Sequence, residues 1–155
     1  MASIAVIGSG AVGSYYGALL ARAGHDVRFL MRRDLEVVRA TGLTIHSPLG
    51  GFHLPRVQAY GSVAEIGPVD WVICSLKTTA LDAARSLIEP CLAECTRIVA
   101  LMNGYGVEDA LASWAGKARV FGGMAFVCIN RGAPGEVHHL DYGRVSIGHA
   151  LDDPD

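Results

Sequence analysis

The chain has 155 residues, 51% hydrophobic and 18% charged, with a formal net charge of −2, enough to bury one sizeable core in a single globular domain. Thirteen Lys and Arg against fifteen Asp and Glu exclude a sequence-independent pull on nucleic acid, so no nucleic-acid partner is expected and any basic residue used on a ligand must act locally. No apolar run reaches the roughly 18 residues of a membrane helix, and Met1 leads into an apolar run with no basic region before it. The expected setting is cytoplasmic, without membrane association.

In chain order, apolar runs of strand length alternate with stretches of helical period, as in a parallel sheet covered by helices on both faces. Residues 4–7, 27–31 (apart from Arg28), 71–74 and 98–102 are continuous apolar runs. Strands buried on both faces read this way. A helix is expected over residues 14–23, ended by Gly24 in a left-handed exit. Asp34 is placed to cap a helix through residue 41, and Thr78 or Thr79 to open one that runs to about residue 88, before Pro90. Residues 42–68 are looser, with a turn over 47–51 between two short alternating pieces, which predicts a hairpin or a pair of edge strands. From Arg119 onward, FGGMAFVCIN, RGAPGEVHHL and YGRVSIG predict three antiparallel strands separated by glycine-rich turns. The closing LDDPD suits a linker.

The first strand breaks into Gly8, Ser9, Gly10, Ala11, Val12 and Gly13, a GxGxxG spacing that follows a strand and opens a helix. Gly8 permits a tight turn, Gly10 removes the side chain that would block a pyrophosphate, and Gly13 lets helix and strand approach. The helix start then offers free N–H groups and the positive dipole end to anionic oxygens. The fold class expected is therefore α/β and Rossmann-type: a doubly wound, mainly parallel sheet with helices on both faces and antiparallel strands near the C-terminus. Residues 1–155 form one dinucleotide-binding domain in this reading.

The end of the second strand bears on which dinucleotide. A carboxylate there holds the ribose hydroxyls of NAD, whereas the 2′-phosphate of NADP requires positive charge. Here the strand runs into Arg32 and Arg33, whose guanidinium groups suit a phosphate in fork geometry; Asp34 follows both and is read as a helix cap. NADP (NADPH) is therefore favoured over NAD. Two later strand ends deliver Lys77 and Asn103 to the same crevice, because ligands of open parallel sheets gather beyond the strands' carboxyl ends.

Cys74, Cys91, Cys95 and Cys128 give neither a CxxC redox motif nor a paired zinc knuckle. Cys91 and Cys95 are expected on one helix, and all four as buried or semi-buried free thiols in a reducing compartment. On a strand, the adjacent His138 and His139 face opposite ways and could not share one metal ion, so no metal site is expected.

GSGAVG, Arg32 after the second strand, SLKT around Lys77, MNGYG around Asn103 with an acidic helix behind it, and the late GEVHHLDYGRVSIG together resemble the N-terminal half of the ketopantoate reductase family, over nearly all 155 residues. The resemblance implies reduction of 2-dehydropantoate to pantoate with NADPH, on the route to pantothenate and coenzyme A. It assigns Gly8 to Gly13, Arg32 and Lys77 to the cofactor, with Arg33 beside them. Asn103 falls where nicotinamide and substrate meet, and Cys128 near a further cofactor contact. The small-molecule partner it implies is a 2-keto acid, and family members continue into a helical domain that supplies the lysine general acid. Such a domain is expected after residue 155, so this stretch carries no catalytic residue of its own and should be inactive alone; a homodimer stays open. Alternatives that share the glycine loop are a reductase of another 2-keto acid, a non-catalytic NADP-binding redox sensor, and a methyltransferase, which the two arginines disfavour.

Overall fold

A computed structural model describes residues 1–150 of the chain; the LDDPD segment read as a linker lies outside them. Nine strands form one sheet in the order β4-β3-β9-β8-β7-β6-β1-β2-β5. Its centre is parallel: β1 (Ser3–Ile7) lies between β2 (Asp26–Leu30) and β6 (Val69–Cys74), with β5 (Gln58–Tyr60) beyond β2 and β7 (Leu92–Ala100) beyond β6. The chain thus leaves β1 toward one edge and returns on β1's other side through β6, and the reversal opens a crevice at the strands' carboxyl ends. Residues 4–7 and 72–74 are buried, as continuous apolar runs in a two-sided parallel sheet must be.

Helices cover both faces. On one face α1 (Ala11–Arg22) and α2 (Leu35–Thr41) pack over a core that includes Val6, Ala18, Phe29 and Val38. On the other, α3 (Ala84–Ile88) and α4 (Val107–Ala115) enclose Val72, Ile88, Ile98 and Leu111. The small residues of α1 set its distance from the sheet. A Cβ on Gly17 would stand 2.5 Å from the Phe29 ring, so only glycine lets the helix lie this low on β2. Because α1 also touches β3, β8 and β9, the sheet curls around it.

The helix expected from Thr78 starts as a 3-10 segment, Thr78–Ala83, and becomes α-helical only from Ala84; neither threonine caps it, since Lys77 holds the cap position. Residues 42–68 contain the expected hairpin, β3 (Leu43–His46) with β4 (Phe52–Leu54), and separately β5, which joins β2 in parallel.

The last third differs more. Instead of three strands there are two long ones, β8 (Val120–Arg131) and β9 (Glu136–His149), antiparallel to each other, with β8 parallel to β7 and β9 parallel to β3. The turn at 132–135 is real, but Asp141–Gly143 is a register break inside β9, with Tyr142 at φ 61°. A single turn-like tripeptide does not end a strand whose neighbours still pair on both sides of it. The cysteine reading also needs correction: Cys91 closes a 3-10 turn while Cys95 lies in β7, so no helix carries both. All four thiols are free, Cys74 and Cys91 buried, Cys95 and Cys128 exposed.

Candidate dinucleotide site

The turn after β1 is built by contacts that only glycine permits. Gly8 has φ +102°, and a Cβ there would stand 2.7 Å from the Ser75–Leu76 backbone. A Cβ on Gly13 would fall 2.3 Å from Ser75 Oγ and 2.4 Å from the Gly8 carbonyl oxygen. Ser75, at the end of β6, donates its hydroxyl to that same carbonyl at 2.7 Å, and so clasps the loop. Gly10 is different, with nothing within 4 Å of where its Cβ would be. It also stands at the N-cap of α1 and can supply no side-chain cap. The first N–H groups of the helix, from Ala11, Val12 and Gly13, are left for an external acceptor.

Around this loop lies a cleft of about 290 Å³ whose lining includes Gly8, Ser9, Gly10, Arg32, Arg33 and Lys77. Six of the sequence-predicted residues therefore meet in one place, brought there by the carboxyl ends of β1, β2 and β6. Ala11, Val12 and Gly13 form the first turn of α1 behind them and do not line the cleft. The hydroxyl of Ser9 is engaged with the Leu30 carbonyl at 2.8 Å, which ties the glycine loop to the end of β2. Arg32, Arg33 and Lys77 are exposed, and among the described residues no ion pair engages any of them.

Asn103 is exposed just past β7 and outside the cleft lining. Its loop nevertheless abuts that of Lys77, since a Cβ on Gly104, at φ +140°, would stand 2.6 Å from Thr78 Cγ2. Cys128 lies farther off, exposed in β8 opposite Asp141, and does not line the cleft either.

Asp34 does not do what its position suggested. It occupies the N-cap of α2 without a side-chain cap bond, and its carboxylate instead pairs with the Arg131 guanidinium at the end of β8. That ion pair closes the cleft across 97 residues of sequence and takes up the carboxylate that follows the second strand. The cleft wall then carries Arg32, Arg33 and Lys77 with Glu136 as the remaining acid, a net positive lining. Sequence reasoning missed Arg131 and Ser75; SLKT held the latter, but nothing local pairs Arg131 with Asp34.

The chain matches the family model described as Ketopantoate reductase PanE/ApbA over residues 4–152. The chain belongs to the ketopantoate reductase family. It is 41% identical to a 2-dehydropantoate 2-reductase of Nostoc sp. over 144 residues, 93% of this chain and 45% of that protein. The crystal structure of 2-dehydropantoate 2-reductase from Geobacter metallireducens GS-15 superposes with a TM-score of 0.95 at 50% identity, covering 99% of this chain and 51% of that one. A ternary structure of D-mandelate dehydrogenase with NADH and anilino(oxo)acetate shares the fold, with a TM-score of 0.85 at 22% identity, covering 97% of this chain and 49% of that one. The chain thus spans about half the length of the relatives it matches. Family membership favours the reductase reading over the sensor and methyltransferase alternatives, and the family is one of nicotinamide-dependent reductases. No helix among the described residues is long and apolar enough to cross a membrane.

Proposed function

We propose that this chain is the NADPH-binding half of a reductase that converts 2-dehydropantoate, or a related 2-keto acid, to the 2-hydroxy acid. The observation that carries the choice of NADPH is the Asp34–Arg131 ion pair. A carboxylate at the end of the second strand is what an NAD site uses on the ribose hydroxyls. Here that group is already engaged, with a side-chain exposure of 15%, while Arg32 and Arg33 stand exposed beside it for a 2′-phosphate. Two charge-assisted contacts of this kind contribute on the order of 2 to 4 kcal/mol of preference.

In this reading the uncapped start of α1 takes the pyrophosphate, with Gly10 leaving the approach clear, and Lys77 binds from the end of β6. Asn103 reaches the nicotinamide end and the substrate, and Cys128 contributes a cofactor contact through its backbone. The dinucleotide supplies the hydride to the carbonyl carbon, and the carbonyl oxygen must then gain a proton. Lys77 is committed to the cofactor, so the general acid comes from a lysine in a helical second half, which the greater length of the relatives accommodates.

Following NADPH absorbance tests this. The 155-residue chain should bind NADPH without oxidising it in the presence of 2-dehydropantoate. The protein extended through a second half of the relatives' length should turn over. Robust turnover by the 155 residues alone would place the proton donor within them, and Lys77→Ala would then be the first replacement to make.

A further inference from the structure

On the face of the sheet turned away from α1, His46 and His138, which do not line the dinucleotide cleft, converge with Glu136, which also borders it. His46 of β3 and His138 of β9 sit side by side in parallel register, their rings stacked at 4.5 Å and 24°. Glu136 lies two residues before His138, on the same face of β9. Its Oε2 is 3.6 Å from His46 Nε2 and 3.6 Å from His138 Nε2. At that distance neither contact is a hydrogen bond. Both imidazole nitrogens and the carboxylate oxygen face one small space, with all three donor atoms within 4.8 Å of one another.

We propose that His46, Glu136 and His138 form a binding site for a divalent transition-metal ion of the zinc type. Ligands about 2.1 Å from a tetrahedral zinc stand about 3.4 Å apart, close to the two nitrogen–oxygen separations here. Two imidazoles and one carboxylate form a donor set suited to zinc and its neighbours rather than to magnesium or calcium, which prefer oxygen alone. The ligands stand on two hydrogen-bonded strands, so the backbone fixes their spacing before an ion arrives. Gly132 completes the space: a Cβ there would stand 2.4 Å from His138 Nε2, where it would crowd the donor atom. His46 is exposed, which leaves the fourth position open to water. His139, on the opposite face, is excluded; its ring nitrogens meet Ser47 Oγ at 2.8 Å and the Tyr142 carbonyl at 2.9 Å.

The test uses the untagged chain without nucleotide, so its outcome is separate from that of the dinucleotide reading. Zn²⁺ is titrated in competition with a chromophoric chelator, and Co²⁺ absorption gives a second readout of the ligand geometry. The site predicts one equivalent of Zn²⁺. Loss of a group that only hydrogen-bonds to a ligand typically weakens a metal site 10- to 100-fold, so His46→Ala, Glu136→Gln and His138→Ala, each removing a ligand, should weaken it at least about tenfold. His53→Ala and Cys95→Ser should leave it unchanged, and circular dichroism identifies any variant that has lost its fold. His46→Ala alters an exposed side chain and so tests the site without disturbing the core. No zinc binding at micromolar concentration, or one-equivalent binding that survives His46→Ala, would overturn the proposal.

Discussion

Replacing two glycines of one loop should separate holding the fold from holding the ligand. In Gly13→Ala the new methyl group would lie 2.3 Å from Ser75 Oγ and 2.4 Å from the Gly8 carbonyl oxygen. Ser75 could swing away, but only by giving up its 2.7 Å bond to that carbonyl, and the carbonyl itself is backbone. Overpacking of this kind costs roughly 1 to 3 kcal/mol, and the lost hydrogen bond about 1 more. Against this, alanine is favoured over glycine within a helix by about 0.5 to 1 kcal/mol. The net is a destabilisation of about 1 to 3 kcal/mol, or a fall in melting temperature of roughly 3 to 10 °C for a domain of this size. In Gly10→Val, by contrast, the backbone at φ −77° and ψ −164° is already extended, which suits a branched residue, and nothing stands within 4 Å. Its melting temperature should stay within about 2 °C of the parent, while the side chain projects over the helix start and lowers NADPH affinity at least about a hundredfold, near 3 kcal/mol. Circular dichroism melts and calorimetric titration of both variants read the two effects. If Gly13→Ala melted with the parent, or Gly10→Val bound NADPH normally, the division of labour in the loop would be wrong.

Arg131→Ala should release Asp34 and raise NADH affinity relative to NADPH severalfold by calorimetry, because the freed carboxylate can turn to ribose hydroxyls. Unchanged selectivity would mean that the ion pair has no part in cofactor choice. In the native chain a thiol reagent should modify Cys95 and Cys128 and spare Cys74 and Cys91, whose burial raises their thiols to about 11. NADPH should slow the reaction of Cys128 but not of Cys95, which mass spectrometry of the labelled peptides distinguishes. The hydrogen bond from Arg28, which is also ion-paired at 2.7 Å, holds the Asp26 carboxyl below its ordinary value of 3.8. Its contribution is therefore present above that value and is lost as the pH falls through the lowered one. Asp26→Asn should cost about 1 kcal/mol at neutral pH, a modest amount because the pair is about a quarter exposed, and the gap from the parent in melting should narrow as the pH falls below the ordinary carboxylate value of 3.8.

The centre of the fold was legible because its signals are local. Continuous apolar runs mark two-sided strands, and glycine at 8, 10 and 13 at the end of the first one marks the turn and the helix start. The three glycines do differ in a way spacing cannot show: Ser75 bonds the Gly8 carbonyl across 67 residues and crowds any side chain at Gly13, whereas Gly10 faces open space. The last third was less legible, since Asp141, Tyr142 and Gly143 have the composition of a turn, and only pairing with β8 on both sides keeps β9 continuous. Asp34 illustrates the same limit. A carboxylate just before a helix reads as a cap, and its partner Arg131 comes from the far end of the sheet. Strand alternation puts His138 and His139 on opposite faces of β9, His139 stacked on Tyr15 and His138 on His46. That alternation also places Glu136 beside His138, but His46 joins them only through the parallel pairing of β3 with β9.

We propose that this chain holds a dinucleotide at the glycine loop with Arg32 and Arg33 on its 2′-phosphate. Calorimetric titration of the 155-residue chain and of Arg32→Ala, each with NADPH and with NADH, decides whether it does. The parent should bind NADPH at least about 30-fold more tightly than NADH, the lower end of the 2 to 4 kcal/mol from two charge-assisted contacts. Arg32→Ala should lose most of that difference by weakening NADPH while leaving NADH nearly unchanged. Equal affinities of the parent for the two nucleotides, or an Arg32→Ala variant that weakens both alike, would contradict it.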